Sequence, residues 1–193
     1  MNKLTRADLM SLEEYALARP QFRERALRHK SERRLAVGPN ATWCFEDRIT
    51  VQYQVQEMLR VERIFEHEGI ADELGTYNPL IPDGSNWKVT LLIEFTDPVQ
   101  RARELALLKG IDDRCWVQVE GHERVFAIAD EDLERENEHK TSAVHFLRFE
   151  LTKPMIASLR AGRSLTAGMD HQHYRHQVLV SQASRQALSQ DFS

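Results

Sequence analysis

The spacing of apolar and polar positions along the chain changes period several times, and each change predicts an element. Met10-Ser11-Leu12-Glu13-Glu14-Tyr15 opens a helix. Ser11 caps it, Glu14 stands three residues on to close a capping box, and Met10 and Tyr15 form a hydrophobic staple. Pro20 interrupts that helix, and a second follows over 21–32. Residues 34–37 and 41–46 flank Gly38-Pro39-Asn40 and read as a hairpin. Between 47 and 68 the pattern is double. Residues 49–56 alternate like a strand, whereas 57–68 have a helical composition. The absence of a turn signal favours one long helix capped near Asp47, with a strand over 49–56 as the competing reading. Residues 74–86 follow as a long turn-rich loop.

Trp87, Val89, Leu91, Ile93 and Phe95 then share one face of a strand. Asp97-Pro98 starts a helix that Gly110 stops. Residues 115–119 and 124–128 form a hairpin around Gly121, and 130–140 a short acidic helix. A strand over 143–151, a short helix over 154–160 closed by Gly162 and a strand over 164–169 complete the pattern. From Ser181 the chain is rich in Ser and Gln, which predicts one domain over 1–180 and a flexible C-terminal tail over 181–193. Hairpins and helices follow one another without βαβ alternation. The expected fold is therefore α+β, a single domain with a mainly antiparallel sheet covered by helices.

Composition narrows this without changing it. At 193 residues, with 41% hydrophobic and 29% charged residues, the chain suits one domain that folds without disulfides or metal. A net charge of −4 gives no global reason to bind nucleic acid or anionic membrane. Residues 1–20 lack the apolar core of a signal peptide, and no run approaches the ~18 apolar residues of a membrane span. Cys44 and Cys115 form no Cys-x-x-Cys pair, so a reduced, cytoplasmic setting is expected. Glycine-rich phosphate loops, dinucleotide fingerprints, nucleophile elbows and His-Glu-x-x-His are absent from the sequence.

Three constellations carry candidate chemistry. On a helical wheel Gln52, Gln56, Arg60 and Arg63 fall within about 80° of one another. Two amides beside two guanidinium groups suit a carboxylate or phosphate; a solvated face with paired arginines is the alternative. The segment 78–88 is stiffened by two prolines and offers Asn78, Asp83, Asn86 and Lys88 to a small anionic ligand in a cleft closed over the Gln/Arg stripe. The same Asn, Asp and Ser residues also suit plain turn geometry. Finally, Asp170 and His171, completed by His145 or His122, make a facial set for a first-row transition metal. Against this, His145 shares a strand face with Leu147, Phe149 and Leu151, which suits a hydrogen-bonded core histidine. The arginines and Lys30 within 23–34 are interspersed with glutamates and read as a solvated or protein-docking face, so nucleic acid is disfavoured.

Several phrases resemble a known family. They are Gly-Pro-Asn-Ala at 38–41, Phe-Glu-Asp-Arg at 45–48, Val-Gln-Tyr-Gln-Val-Gln-Glu-Met-Leu-Arg at 51–60, Asn-Pro-Leu-Ile-Pro-Asp-Gly-Ser-Asn-Trp-Lys at 78–88, Val-His-Phe-Leu-Arg-Phe-Glu-Leu at 144–151, and Asp170-His171. Together they are similar to a bacterial family of proteins of this length, a domain of unknown function, over residues 1 to about 175. Genes of that family neighbour rubrerythrin-like and iron–sulfur redox genes, which implies an accessory role in redox or peroxide metabolism. Two expectations follow. One is a binding protein for a small anionic ligand or a protein partner, using the Gln/Arg cleft. The other is a metal-dependent enzyme built on Asp170 and His171. A homodimer is the base-rate expectation for assembly.

Overall fold

The computed structural model describes residues 2–129, 131 and 139–192. The first long helix, α1, spans Leu12–Glu32. Ser11 Oγ accepts from the Glu14 amide at 3.1 Å and Glu14 Oε2 accepts from the Ser11 amide at 2.9 Å, which is the expected capping box. Contrary to expectation, Pro20 does not break the helix. It removes one interior hydrogen bond, but anchors lie on both sides of it. Tyr15, Phe22 and Ala26 are buried, and both Tyr15 and Arg19 grip Glu57 of the next helix.

Helix α2 (Arg48–Glu62) settles the double pattern in favour of helix. Asp47 Oδ1 accepts from the Ile49 and Thr50 amides at 3.0 and 2.9 Å, while Thr50 Oγ1 accepts from the Asp47 amide. That cap overrides the alternation of 49–56. The helix is shorter than expected because Arg63 turns left-handed at φ 56°. A further helix, α3 (His67–Tyr77), and a 3-10 turn at Asn78–Leu80 occupy most of what the sequence presented as loop.

Among the described residues nine strands make two antiparallel sheets. In the first, β1 (Arg34–Ala36), β2 (Ala41–Glu46), β3 (Asn86–Ile93), β7 (Val144–Glu150) and β6 (Ile128–Ala129) stand in that order. The second runs β5 (Val125–Phe126), β4 (Cys115–Val119), β8 (Leu165–His171), β9 (Tyr174–Leu179). The expected 115–128 hairpin is split: Phe126 pairs with Trp116, whereas Ile128 crosses to pair with Arg148 of the first sheet. Helices α4 (Pro98–Leu107), α5 (Lys153–Arg160) and α6 (Gln182–Ser189) complete the fold. The result is α+β.

Strand alternation sorts the side chains. Trp43, Phe45, Trp87, Val89, Leu91 and Phe149 meet Val117, Val119, Leu165 and Met169 in one core shared by the two sheets. A second cluster joins the N-terminal segment to α2 and α3 and unites Leu4, Leu9, Val51, Val55, Leu59, Ile70, Leu74 and Ile81. Residues 181–192, expected as a frayed tail, are α6 and a docked end. Ser181 caps the helix, Leu188 and Phe192 enter the main core, and Trp87 Nε1 donates to Leu188 O at 3.0 Å. Polar composition hid this because Val180, Leu188 and Phe192 suffice to anchor so short a helix. Apart from 131, 139 and 140, the expected acidic helix over 130–140 lies outside the described residues.

Candidate functional site

The Gln/Arg stripe forms on α2 as the wheel requires, but its members serve different ends. Gln52 Nε2 donates to Asp8 O at 2.6 Å, and the fully buried Gln56 accepts from the Met10 amide at 2.6 Å. Arg60 pairs with Glu57 at 3.3 Å on the exposed surface, and Arg63 sits at the left-handed helix end. The two amides therefore fasten the N-terminal segment onto α2, and the structure does not gather all four around one cleft.

The segment 78–88 divides similarly. Asn78 clasps Leu4 by both backbone groups, at 2.8 and 2.9 Å, and Lys3 Nζ donates to the carbonyls of Asn78 and Ile81. Asp83 accepts from the Ser85 amide and from Asn86 Nδ2, which also donates to Glu150. At Asp83, Ser85 and Asn86 the turn-geometry alternative describes the contacts. Among the described residues Lys88 alone of the group makes no hydrogen bond or ion pair.

The four metal candidates stand apart. Asp170 and His171 are consecutive in β8 and so point to opposite faces. Asp170 pairs with Arg175 at 2.8 Å and approaches Arg124 at 3.8 Å. His171 Nδ1 accepts from the His173 amide, so its Nε2 carries the proton donated to Lys109 O at 3.0 Å. His145, fully buried in β7 of the other sheet, lies 3.0 Å from Thr141 Oγ1, as a core histidine does. His122 is 2.8 Å from Ser158 Oγ. Among the described residues no three His, Cys, Asp or Glu side chains are placed to hold a metal ion.

A cleft of about 370 Å³ emerges where α2, the end of α3 and the first sheet meet. Its polar centre is a cross-strand pair, because Lys88 of β3 lies directly opposite Arg148 of β7 and shares its face. Tyr77, Pro79, Leu80 and Phe146 supply apolar wall, and Gln54 reaches in from α2. The Asn78 clasp on Leu4 fixes the turn that carries Pro79 and Leu80, so the N-terminal segment positions this wall.

The two cations are treated differently. Arg148 donates to Glu131 through Nε and Nη2 at 2.7 Å each and also pairs with Glu150. Those carboxylates hold its guanidinium charged. Lys88 is half-buried and, among the described residues, makes no hydrogen bond or ion pair. Burial first, and the Arg148 charge second, push its ammonium pKa below the usual lysine range. A cation left unpartnered in a mostly apolar recess favours a ligand that brings negative charge or an electrophile.

Lys88 was within reach of the sequence through the alternation of 87–95, which puts it on the polar face. Arg148 was not, since only the β3–β7 register makes it a neighbour. Two other recesses are already satisfied. In one, of about 420 Å³ beside Cys44, Glu46 accepts from Thr50 and Thr90, and burial raises the Cys44 thiol pKa. In the other, of about 410 Å³, Arg33 is buried between Asp191 at 2.5 Å and Asp47 at 3.6 Å, and His29 meets Asp47 at 2.5 Å. Burial, with Asp47 adding and Arg33 opposing, pushes the Asp191 carboxyl up to about 6.

A family model described as a protein of unknown function (DUF3501) matches residues 3–192. A crystal structure of a novel protein of unknown function from Burkholderia pseudomallei K96243 is similar over 100% of both chains. It has 46% identity and a TM-score of 0.95. No curated protein matches the chain.

Proposed function

The chain belongs to the DUF3501 family, and from that premise we propose that it is a binding protein for a small anionic ligand with an apolar body. The ligand sits in the Lys88–Arg148 cleft. Its carboxylate is held between the two cations, and its body lies against Tyr77, Leu80 and Phe146. One observation carries the reading: Lys88 is a half-buried cation without a partner among the described residues, opposite a second cation, in a recess walled largely by Tyr77, Pro79, Leu80 and Phe146. A lysine kept there solely for stability would be paired or extended into solvent. Arg148 adds the planar fork suited to a carboxylate.

Glu131 occupies that fork. Its side chain is 48% exposed against 22% for Arg148, so it can swing into solvent while a ligand carboxylate makes the same bidentate contact in its place. The accessory role in redox or peroxide metabolism is retained as part of this proposal on the strength of the family resemblance. The anionic-ligand cleft moves from the Gln/Arg stripe to the strands beside it.

Calorimetric titration with 3-phenylpropionate tests the reading, because this probe joins a carboxylate to an apolar body of suitable size. Binding that weakens about tenfold or more in Lys88→Met, a loss of about 1.4 kcal/mol, is expected. Equal affinity in wild type and variant, or no binding to either, would refute it.

A further inference from the structure

We infer that Lys88 is a nucleophilic amine that forms an imine with the carbonyl of a 2-oxo acid seated in the cleft. The inference rests on the ligand-binding reading above and names the ligand class more narrowly. Four features of the site converge on it. The Lys88 side chain enters a recess of about 370 Å³ with an apolar wall. Among the described residues it has no hydrogen-bonding or ionic partner, so its lone pair is not committed once the amine is neutral. It lies directly across the strand pair from Arg148, a permanent cation. Burial together with that cation lowers its proton affinity. Desolvation and an adjacent cation are the two general means by which a lysine becomes an amine nucleophile near neutral pH.

The pairing with Arg148 also selects the electrophile. A guanidinium fork one strand away holds a carboxylate bidentately, which brings a carbonyl adjacent to that carboxylate toward Lys88. A 2-oxo acid has that arrangement, and the apolar wall suits an aromatic or branched remainder. In the reaction the neutral Nζ attacks the carbonyl carbon, and the C–O π pair moves to oxygen. From the carbinolamine both amine hydrogens leave with that oxygen as water. The carbon–nitrogen double bond forms, and the imine nitrogen takes a proton from solvent. No oxidant, reductant or metal enters the step.

The test is reductive trapping. The full chain is incubated with phenylpyruvate and sodium cyanoborohydride, then analysed by intact mass and peptide mapping. The expected result is one adduct at Lys88, heavier than the protein by the mass of the acid less one oxygen. It should form at least about tenfold faster than adducts at Lys3, Lys30, Lys109, Lys140, Lys153 or the amino terminus, because the cleft holds the carbonyl of the bound acid beside Lys88. Added 3-phenylpropionate should slow it. Lys88→Arg should unfold at the wild-type urea midpoint yet give no fast adduct, which separates loss of the nucleophile from loss of the fold. Binding of 3-phenylpropionate by the wild type with labelling spread evenly over its amines would overturn the imine and leave the ligand reading standing. Failure of both binding and trapping would overturn both.

Discussion

Lys88 illustrates at the scale of single residues how a functional position differs from its neighbours. Its cross-strand partner is a like charge, an arrangement that destabilises a strand pair. Lys88→Met should therefore keep the fold and unfold at an equal or higher urea midpoint, even as ligand affinity falls. A marked loss of stability would show that the lysine is structural. Glu131→Gln should have the opposite functional effect. Removing the carboxylate that competes for Arg148 should tighten 3-phenylpropionate binding several-fold, and weaker binding would contradict the proposed exchange. Gly168 marks a separate constraint. A Cβ there would stand 2.4 Å from Trp116 Cζ2, and Arg124 packs 3.8 Å from the Trp116 ring centroid. Gly168→Ala should cost about 1–3 kcal/mol in chemical denaturation, as overpacking does.

Among the elements, α2 shows what the sequence could and could not disclose. The capping residues Ser11, Asp47 and Asp97 were readable because a side-chain oxygen two or three residues from an amide is a local fact. The end of α2 was not readable. It rests on Arg63 adopting a left-handed conformation that usually calls for glycine. Arg63→Gly should raise stability by up to about 1 kcal/mol, and a loss would contradict the account of that helix end. Pro20 misleads for the opposite reason, since contacts distant in sequence carry α1 through it. The same distinction applies to the cleft. The face occupied by Lys88 follows from strand period, whereas Arg148, Tyr77 and Leu80 become its neighbours only through strand register and the Asn78–Leu4 clasp. Gln52 and Gln56 share one face of α2, but a wheel cannot show that residues 8–10 cover it.

For the molecule as a whole, the two chain ends are structural parts. The N-terminal segment braces the cleft wall, and the C-terminal end places Asp191 beside Arg33. The sign of the resulting pH dependence is fixed. The folded Asp191 carboxyl titrates at about 6 rather than 3.8. Between those values the native state holds a proton that the unfolded chain has released. This group's contribution to stability is thus greatest below the unfolded pKa, falls as pH rises through the folded one, and is flat above. Asp191→Asn should lessen the loss of stability on going from pH 4 to 7, measured by urea unfolding at each pH. An unchanged slope would refute the assignment. Arg33→Met leaves buried carboxylates uncompensated and should cost about 3–5 kcal/mol.

The central claim is that the Lys88–Arg148 recess is where a ligand binds, and amide chemical-shift mapping with 3-phenylpropionate tests it most directly. Saturable shifts concentrated at Lys88, Arg148, Tyr77 and Leu80 are expected. Shifts centred on Trp116 and Arg175, or none at any residue, would contradict it.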